Sequence, residues 1–307
     1  MSNARGRKGG RGGTPKPGRR SQGRNNPSAA RGRPGAAAGG RSTAPRGGDD
    51  RQRGRQRDPD DLGGDRVEGR QAVVELLRVG KRKVREIVVA EDIDDSVIVA
   101  EILDLAAEDR VPVTRVARRK LDELARTDAP QGVIATAKSV RATDFDDLTQ
   151  PFEGRQPFLL MLDGITDPGN LGAILRTAEV AGVTGVVIPR HRAARLTPAA
   201  VKSAAGAVEY LRISLVGGLP AAMGQLADKG IWTIGLAARA PQSIWESTAA
   251  FDGPVAMVLG AEGAGLGRLV SERCDELVSI PQFGKLDSLN VANAAAVACY
   301  EVVRRRS

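Results

Sequence analysis

The chain has 307 residues and carries 46 Lys/Arg against 37 Asp/Glu, a formal net charge of +9. That length predicts about two domains. With a single histidine and two cysteines a Ser-His-Asp triad is not a favoured reading and a His-rich metal centre is not expected, and no run of about 18 apolar residues is present to span a membrane.

Residues 1–65 hold 16 Lys/Arg and 6 Asp/Glu, leaving 30 basic and 31 acidic residues for the rest. The positive charge therefore belongs to the N-terminal segment. Its only large apolar residues are Met1 and Leu62, too few to offset the entropy of ordering, so a disordered Arg/Gly-rich tail is expected. Such a tail favours RNA through phosphate contacts; the plainer alternative is a solubilising segment. It contains no apolar core of a secretory signal. Cys274 and Cys299 are far apart, lack metal-ligand spacing and read as thiols of a reducing compartment, which gives a cytoplasmic expectation.

From residue 66 the texture changes. "GRQAVVELLRVG" places apolar residues at helical spacing and closes on Gly80. "VREIVVA" (84–90) reads as a strand, "DSVIVAEILDLAAEDR" as a helix, "VPVTRV" as a short strand, "RRKLDELART" as a short helix and "GVIATA" (132–137) as a buried strand. This alternation predicts a small α/β domain over 66–140, and the Pro-, Gly- and charge-rich stretch 141–157 an interdomain linker. A second domain is expected over 158–307. Strand "FLLMLDG" leads to helix "NLGAILRTAEVAG", then strand "TGVVIP", helix "TPAAVKSAAGA" and strand "VEYLRISLV". Helix "LPAAMGQLADKG" and strands "IWTIGLA" and "VAMVLG" come next, then a Gly-rich loop, helix "GLGRLVSERC", strand "ELVSIP" and an Ala-rich helix. Runs such as "FLLML" and "VAMVL" are apolar on both faces, as buried parallel strands are, so an α/β fold with an open parallel sheet is predicted. From Val291 to Tyr300 no residue is charged, which predicts a final helix buried all round. Its polar start, Asp287, Ser288 and Asn290, reads either as a helix cap or as a ligand site.

Ligands of such sheets sit at the carboxyl ends of the strands. Three post-strand segments carry chemistry there. "DGITDPGNLGAILRTAEVAG" (163–182) sets Asn170 at a helix start and Arg176 one to two turns in, with Gly169 and Gly172 around the turn. "VLGAEGAGLG" (258–267) has four glycines and one acid, Glu262; "SIPQFGKLDSLN" (279–290) is the third. None has the G-x-G-x-x-G dinucleotide fingerprint or a P-loop. His191 lies in the basic loop "PRHRAAR" and reads as a solvated residue, with an unspecific phosphate role for Arg190, Arg192 and Arg195.

Together the three segments, in this order and spacing, resemble the three motifs of the SpoU-type RNA 2'-O-ribose methyltransferases of the SPOUT superfamily, over residues 160–304. Residues 66–140, including "QGVIATA", resemble the substrate-binding domain that precedes the catalytic domain in that family, and the layout is most similar to its 23S rRNA guanosine enzymes. The resemblance implies a C-terminal trefoil knot, S-adenosylmethionine as cofactor and a homodimer. It implies backbone contacts to the cofactor from Gly260, Ile280 and Leu289. It implies catalytic parts for Asn170, Arg176, Glu262, Ser288 and Asn290, with Glu262 pairing Arg176 or anchoring the cofactor loop. The resemblance implies that Arg176 matches the arginine cast as general base in that family; because a guanidinium stays protonated in proteins, orienting the 2'-hydroxyl and its phosphate is the safer role. Asn170 doubles as a candidate N-cap. Asn293, which has no assigned role, and the "FGKLD" stretch depart from the family's small-residue pattern; Lys285 and Asp287 there bear on substrate fit. The expected substrate is RNA, rRNA ahead of tRNA. A tRNA ribose methyltransferase, and a non-catalytic RNA-binding or ribosome-assembly factor, are the alternatives.

Overall fold

A computed structural model describes residues 58, 60–191, 193–249, 251–286 and 288–307. Most of the expected tail, together with Arg192 and Asp287, lies outside the described residues. The tail's last residues do not behave as a tail: β1 (Asp61–Gly63) pairs antiparallel with β6 (Val140–Arg141). Leu62, the one large apolar side chain after Met1, is buried there, and Gly64 N donates to Leu196 O at 2.7 Å.

The N-terminal domain is built from β2 (Arg66–Glu68), α1 (Arg70–Val79), β3 (Val84–Ala90), α2 (Val97–Glu108), β4 (Val113–Val116), α3 (Arg118–Leu124) and β5 (Val133–Ala137). The sheet order is β2-β5-β3-β4, with β3 and β4 parallel and the other pairs antiparallel. Helix α1 buries Ala72, Val73, Val74, Leu76 and Leu77, and Gly80 stops it in the left-handed conformation with its N–H on Leu76 O. The spacing of apolar residues and the C-terminal glycine account for both.

Residues 141–157 are a packed segment rather than an open linker. Helix α4 (Phe145–Leu148) is capped by Asp144, and its Leu148 is fully buried against Gly185, where a Cβ would meet Leu148 Cδ2 at 2.8 Å. The Arg212 guanidinium lies 4.4 Å above the Phe152 ring.

The C-terminal domain comprises β7 (Phe158–Asp163), α5 (Pro168–Val180), β8 (Gly185–Pro189), α6 (Pro198–Ser203), β9 (Ile213–Val216), α7 (Leu219–Asp228) and β10 (Trp232–Leu236). It ends with β11 (Gln242–Ser243), β12 (Val255–Gly260), α8 (Arg268–Arg273), β13 (Glu276–Ser279) and α9 (Val291–Arg306). Seven strands form one sheet in the order β11-β13-β10-β12-β7-β8-β9, every pair parallel. Strands β7 and β12 bury five consecutive side chains each and lie side by side near its middle. From β7 the chain proceeds to β8 on one side; from β12 it proceeds to β13 on the other. This divergence opens a crevice beyond the carboxyl ends of β7 and β12.

Helix α9 differs from expectation. It packs on α5 and β12 through Val291, Ala295, Ala298, Cys299 and Val302. Its opposite face, with Asn293, Ala296, Val297 and Tyr300, is half-buried or exposed, Tyr300 at 49%. An uncharged sequence marks a helix that avoids water without saying whether its own chain covers every face.

Candidate functional site

Four strand ends meet at the crevice: those of β13, β10, β12 and β7, neighbours in the sheet. After β12 the backbone doubles back at once. Ala261 and Gly265 exchange N–H···O bonds at 3.0 and 2.8 Å, and Gly263 and Gly265 take φ of 74° and 68°. A Cβ on Gly260 would overlap the Gly265 carbonyl, so the turn requires glycine there. Asp163, at the end of β7, pins the far side of the loop: its Oδ2 accepts from Gly267 N at 2.7 Å.

This loop forms one wall of a cavity of about 630 Å³. Gly260, Ile280 and Leu289 all line it, with Glu262 and Ser288 among its polar groups. The stretch 236–239 after β10 closes another side. The volume lies within the range of small-molecule sites, about 300–1,000 Å³. Leu236, Leu259, Ile280 and Leu289 offer apolar surface suited to a nucleoside ring, and the close-wound glycine loop presents backbone rather than side chains. The donor set fits a nucleoside-containing cofactor.

Three side chains from three separate segments join at the rim. Asn290 is the N-cap of α9: its Oδ1 accepts from Ala292 N at 2.9 Å and from Asn293 N at 3.4 Å. That fixes its amide, because the oxygen must face the helix. Its Nδ2 then donates to Asn170 Oδ1 at 2.9 Å, which leaves Asn170 Nδ2 to donate to Glu262 Oε2 at 3.2 Å. The polarity of this relay is set by the helix start, and it requires Glu262 as an acceptor. The cap of α9 is thus Asn290, with Ser288 exposed beside the cavity. The cap of α5 is Asp167, whose Oδ1 accepts from Asn170 N at 2.6 Å; Asn170 is the third residue of that helix and not its cap.

Arg176 lies elsewhere. Six residues along α5 correspond to about 9 Å and nearly two turns, and Arg176 is exposed in a second cleft of about 630 Å³. That cleft runs between α1 and the α5–α6 pair, with Gln71, Glu75, Gln131, Glu179 and Lys202 in its lining. Within one chain Arg176 therefore does not meet Glu262, whose partner is Asn170. Gly172 is not part of the turn either: it is buried inside α5, where a Cβ would meet Ser203 Cβ at 2.5 Å and Ala204 N at 2.9 Å of α6 and its C-cap.

Residues 157–300 match the model of the SpoU rRNA Methylase family, and residues 66–143 match the model described as RNA 2'-O ribose methyltransferase substrate binding. The 23S rRNA (guanosine-2'-O-)-methyltransferase RlmB of Photobacterium profundum is 39% identical over 249 residues, covering 80% of this chain and 99% of that one. The chain belongs to the SpoU rRNA methylase family. Among its SpoU relatives, RlmB of Escherichia coli is 38% identical over 244 residues, covering 78% of this chain and 98% of that one. The SpoU methyltransferase AviRb from Streptomyces viridochromogenes superposes with a TM-score of 0.66 at 27% identity, covering 80% of this chain and 90% of that one. AviRb has also been crystallised in complex with the cofactor AdoMet.

In this SpoU domain several neighbours of the site carry no motif. Asp163 is legible in the sequence only as an acid ending an apolar strand, and Leu236–Arg239 only as the stretch after β10. Arg190 and Arg195 hold the start of the fold, pairing with Asp60 and with Asp61 O, rather than standing free for phosphate. His191 is exposed in the same loop. Both cysteines are free thiols, and burial pushes each up to about 12, Asp275 and Asp163 adding to the effect at Cys274. Neither is a nucleophile at neutral pH.

Proposed function

We propose that the chain transfers a methyl group from S-adenosylmethionine to a ribose 2'-hydroxyl of 23S rRNA. The observation that carries this reading is the Glu262–Asn170–Asn290 relay at the rim of a glycine-walled cavity, in a chain whose SpoU relatives are named for that reaction. Gly260, Ile280 and Leu289 would hold the cofactor, with Ser288 at its polar edge. When bound, the cofactor supplies an electrophilic methyl on a sulfonium. The residues of the chain do the rest by position. Glu262, fixed through Oε2 by Asn170, would hold Oε1 toward the ribose 2'-hydroxyl and take up its proton. Arg176 holds the phosphate beside the reacting ribose through its guanidinium fork.

Arg176 lies outside its own chain's relay, and α9 leaves an apolar face uncovered. Both features support a homodimer in which the arginine of one subunit serves the relay of the other. The knot implied by the family resemblance belongs to the same proposal.

Methyl transfer from labelled S-adenosylmethionine to unmodified 23S rRNA, with 16S rRNA and tRNA in parallel, tests the reading. Label in 23S rRNA, mapped to a ribose and lost in Arg176→Ala, is the expected result. Label in tRNA alone would move the substrate. Neither label nor cofactor binding would leave an RNA-binding factor without catalysis.

A further inference from the structure

A groove at the C-terminal ends of α1 and α2 is lined by Lys83, Arg85 and Arg110, with Asp109 as its one acid and with Arg82. It shares no residue with the cofactor cavity or the Arg176 cleft. Arg82 is consumed elsewhere: its guanidinium is bound to Glu209, Gly64 O and Lys138 O. Lys83, Arg85 and Arg110 are exposed and have no ion pair among the described residues, as does Lys81 beside them.

Two backbone irregularities present two of these cations. Arg110 has φ of 56° at the end of α2, where Arg110 N bonds Ala107 O and Val111 N bonds Ala106 O. This left-handed helix end is the position that glycine favours and arginine does not. Arg85 is the extra residue of a bulge: Val84 faces Ala137 and Glu86 faces Thr136. Bulges re-aim side chains. A strained arginine and a bulged arginine, lining one groove without carboxylate partners, point from conformation to function.

We infer that this groove is a second RNA contact, binding the phosphate backbone of the substrate RNA apart from the methyl-transfer centre. The inference rests on the proposed RNA substrate. Three unpaired cations around a concave surface fit a chain of phosphates, and the match of this domain to a substrate-binding model supports RNA over an acidic protein. The structural alternative is that the cations only complement the negative ends of two helices.

Affinity of the full chain for unmodified 23S rRNA and for an RNA duplex of unrelated sequence, measured by filter binding across a salt series, separates the two. The variant Lys83→Gln/Arg85→Gln/Arg110→Gly is expected to weaken binding to both RNAs roughly ten- to a hundredfold and to flatten the log–log salt slope by about 2 to 3. S-adenosylmethionine affinity should not change. Arg110→Gly alone should weaken RNA binding while its melting temperature holds or rises, because the glycine relieves the left-handed turn. An unchanged salt slope, or a lower melting temperature in Arg110→Gly with RNA affinity intact, would overturn the inference. Wild-type protein that binds RNA but not S-adenosylmethionine would instead count against the proposed enzyme and leave this groove in place.

Discussion

Asn290 performs two tasks through two atoms, and the tasks can be separated. Its Oδ1 caps α9 and its Nδ2 donates to Asn170. Asn290→Asp keeps the cap, since Asp caps as well as Asn and suits the positive helix end. It removes the donor and sets a second carboxylate near Glu262. Thermal stability should stay close to wild type while methyl transfer falls roughly a hundredfold, as for loss of one aimed donor in an active site. Asn290→Ala should lose the activity and about 1 kcal/mol of stability as well. A melt and a transfer assay on both variants check this. Glu68 offers a pH test. Burial pushes its carboxyl up, but the Thr127 hydroxyl, Arg126 N–H and Arg66 more than offset this and hold it below its usual value of 4.5. A folded value below the unfolded one means stability that is complete above pH 4.5 and is lost as pH falls through the folded value. Glu68→Gln should therefore cost about 1–3 kcal/mol at neutral pH and show a shallower loss in acid, read from urea midpoints at successive pH values. The types Asn170, Glu262 and Asn290 were legible in the motifs. Which one caps was not, because Asp287, Ser288 and Asn290 are all capping types and only backbone dihedrals choose among them.

The pairing of α5 with α6 depends on one missing side chain. Gly172 lets the two helices approach until Ser203 and Ala204 occupy the space of its Cβ. Gly172→Ala gains helix propensity of about 1 kcal/mol but forces the helices apart, and overpacking of this kind costs about 1–3 kcal/mol. The net expectation is a less stable protein with weaker transfer, since α5 carries both Asn170 and Arg176; denaturant unfolding and the transfer assay give the two readings. A glycine three residues past a Pro-Gly step looks like part of a turn, and nothing local in the sequence says that a second helix crosses there. The same limit explains the elements that pattern alone did not yield. Strands β1 and β2 have three residues each and β11 has two, too short for any period. The runs behind β5, β7 and β12 are legible because burial on both faces writes itself into nearly every residue.

At the scale of the whole chain, the two matched domains are held by a contact that no motif announces. Arg82 and Glu209, 127 positions apart, form an ion pair with side chains only 8% and 2% exposed, with Nε–Oε2 at 2.8 Å. Beside it Tyr210 donates to Glu75 Oε2 at 2.7 Å, a bond that together with burial pushes the phenol up to about 12, so the donor persists at any physiological pH. Gly206, at φ of 94°, leaves room for the Glu75 side chain. These contacts join α1 to the turn after α6, and the Arg176 cleft lies between the same elements. The shape of that cleft is therefore tied to the ion pair. Arg82→Met would leave the Glu209 carboxylate buried without its partner, which costs about 3–5 kcal/mol; Arg82→Met/Glu209→Met removes the stranded charge and should recover most of that loss. If the pair only adds stability, the double variant will also recover wild-type RNA affinity. If it sets the cleft, the double variant will melt near wild type and bind S-adenosylmethionine normally, yet show a raised KM for RNA. The second outcome is expected, because two methionines fill the space without reproducing the guanidinium's bonds to Gly64 O and Lys138 O, which tie the N-terminal sheet to the same point.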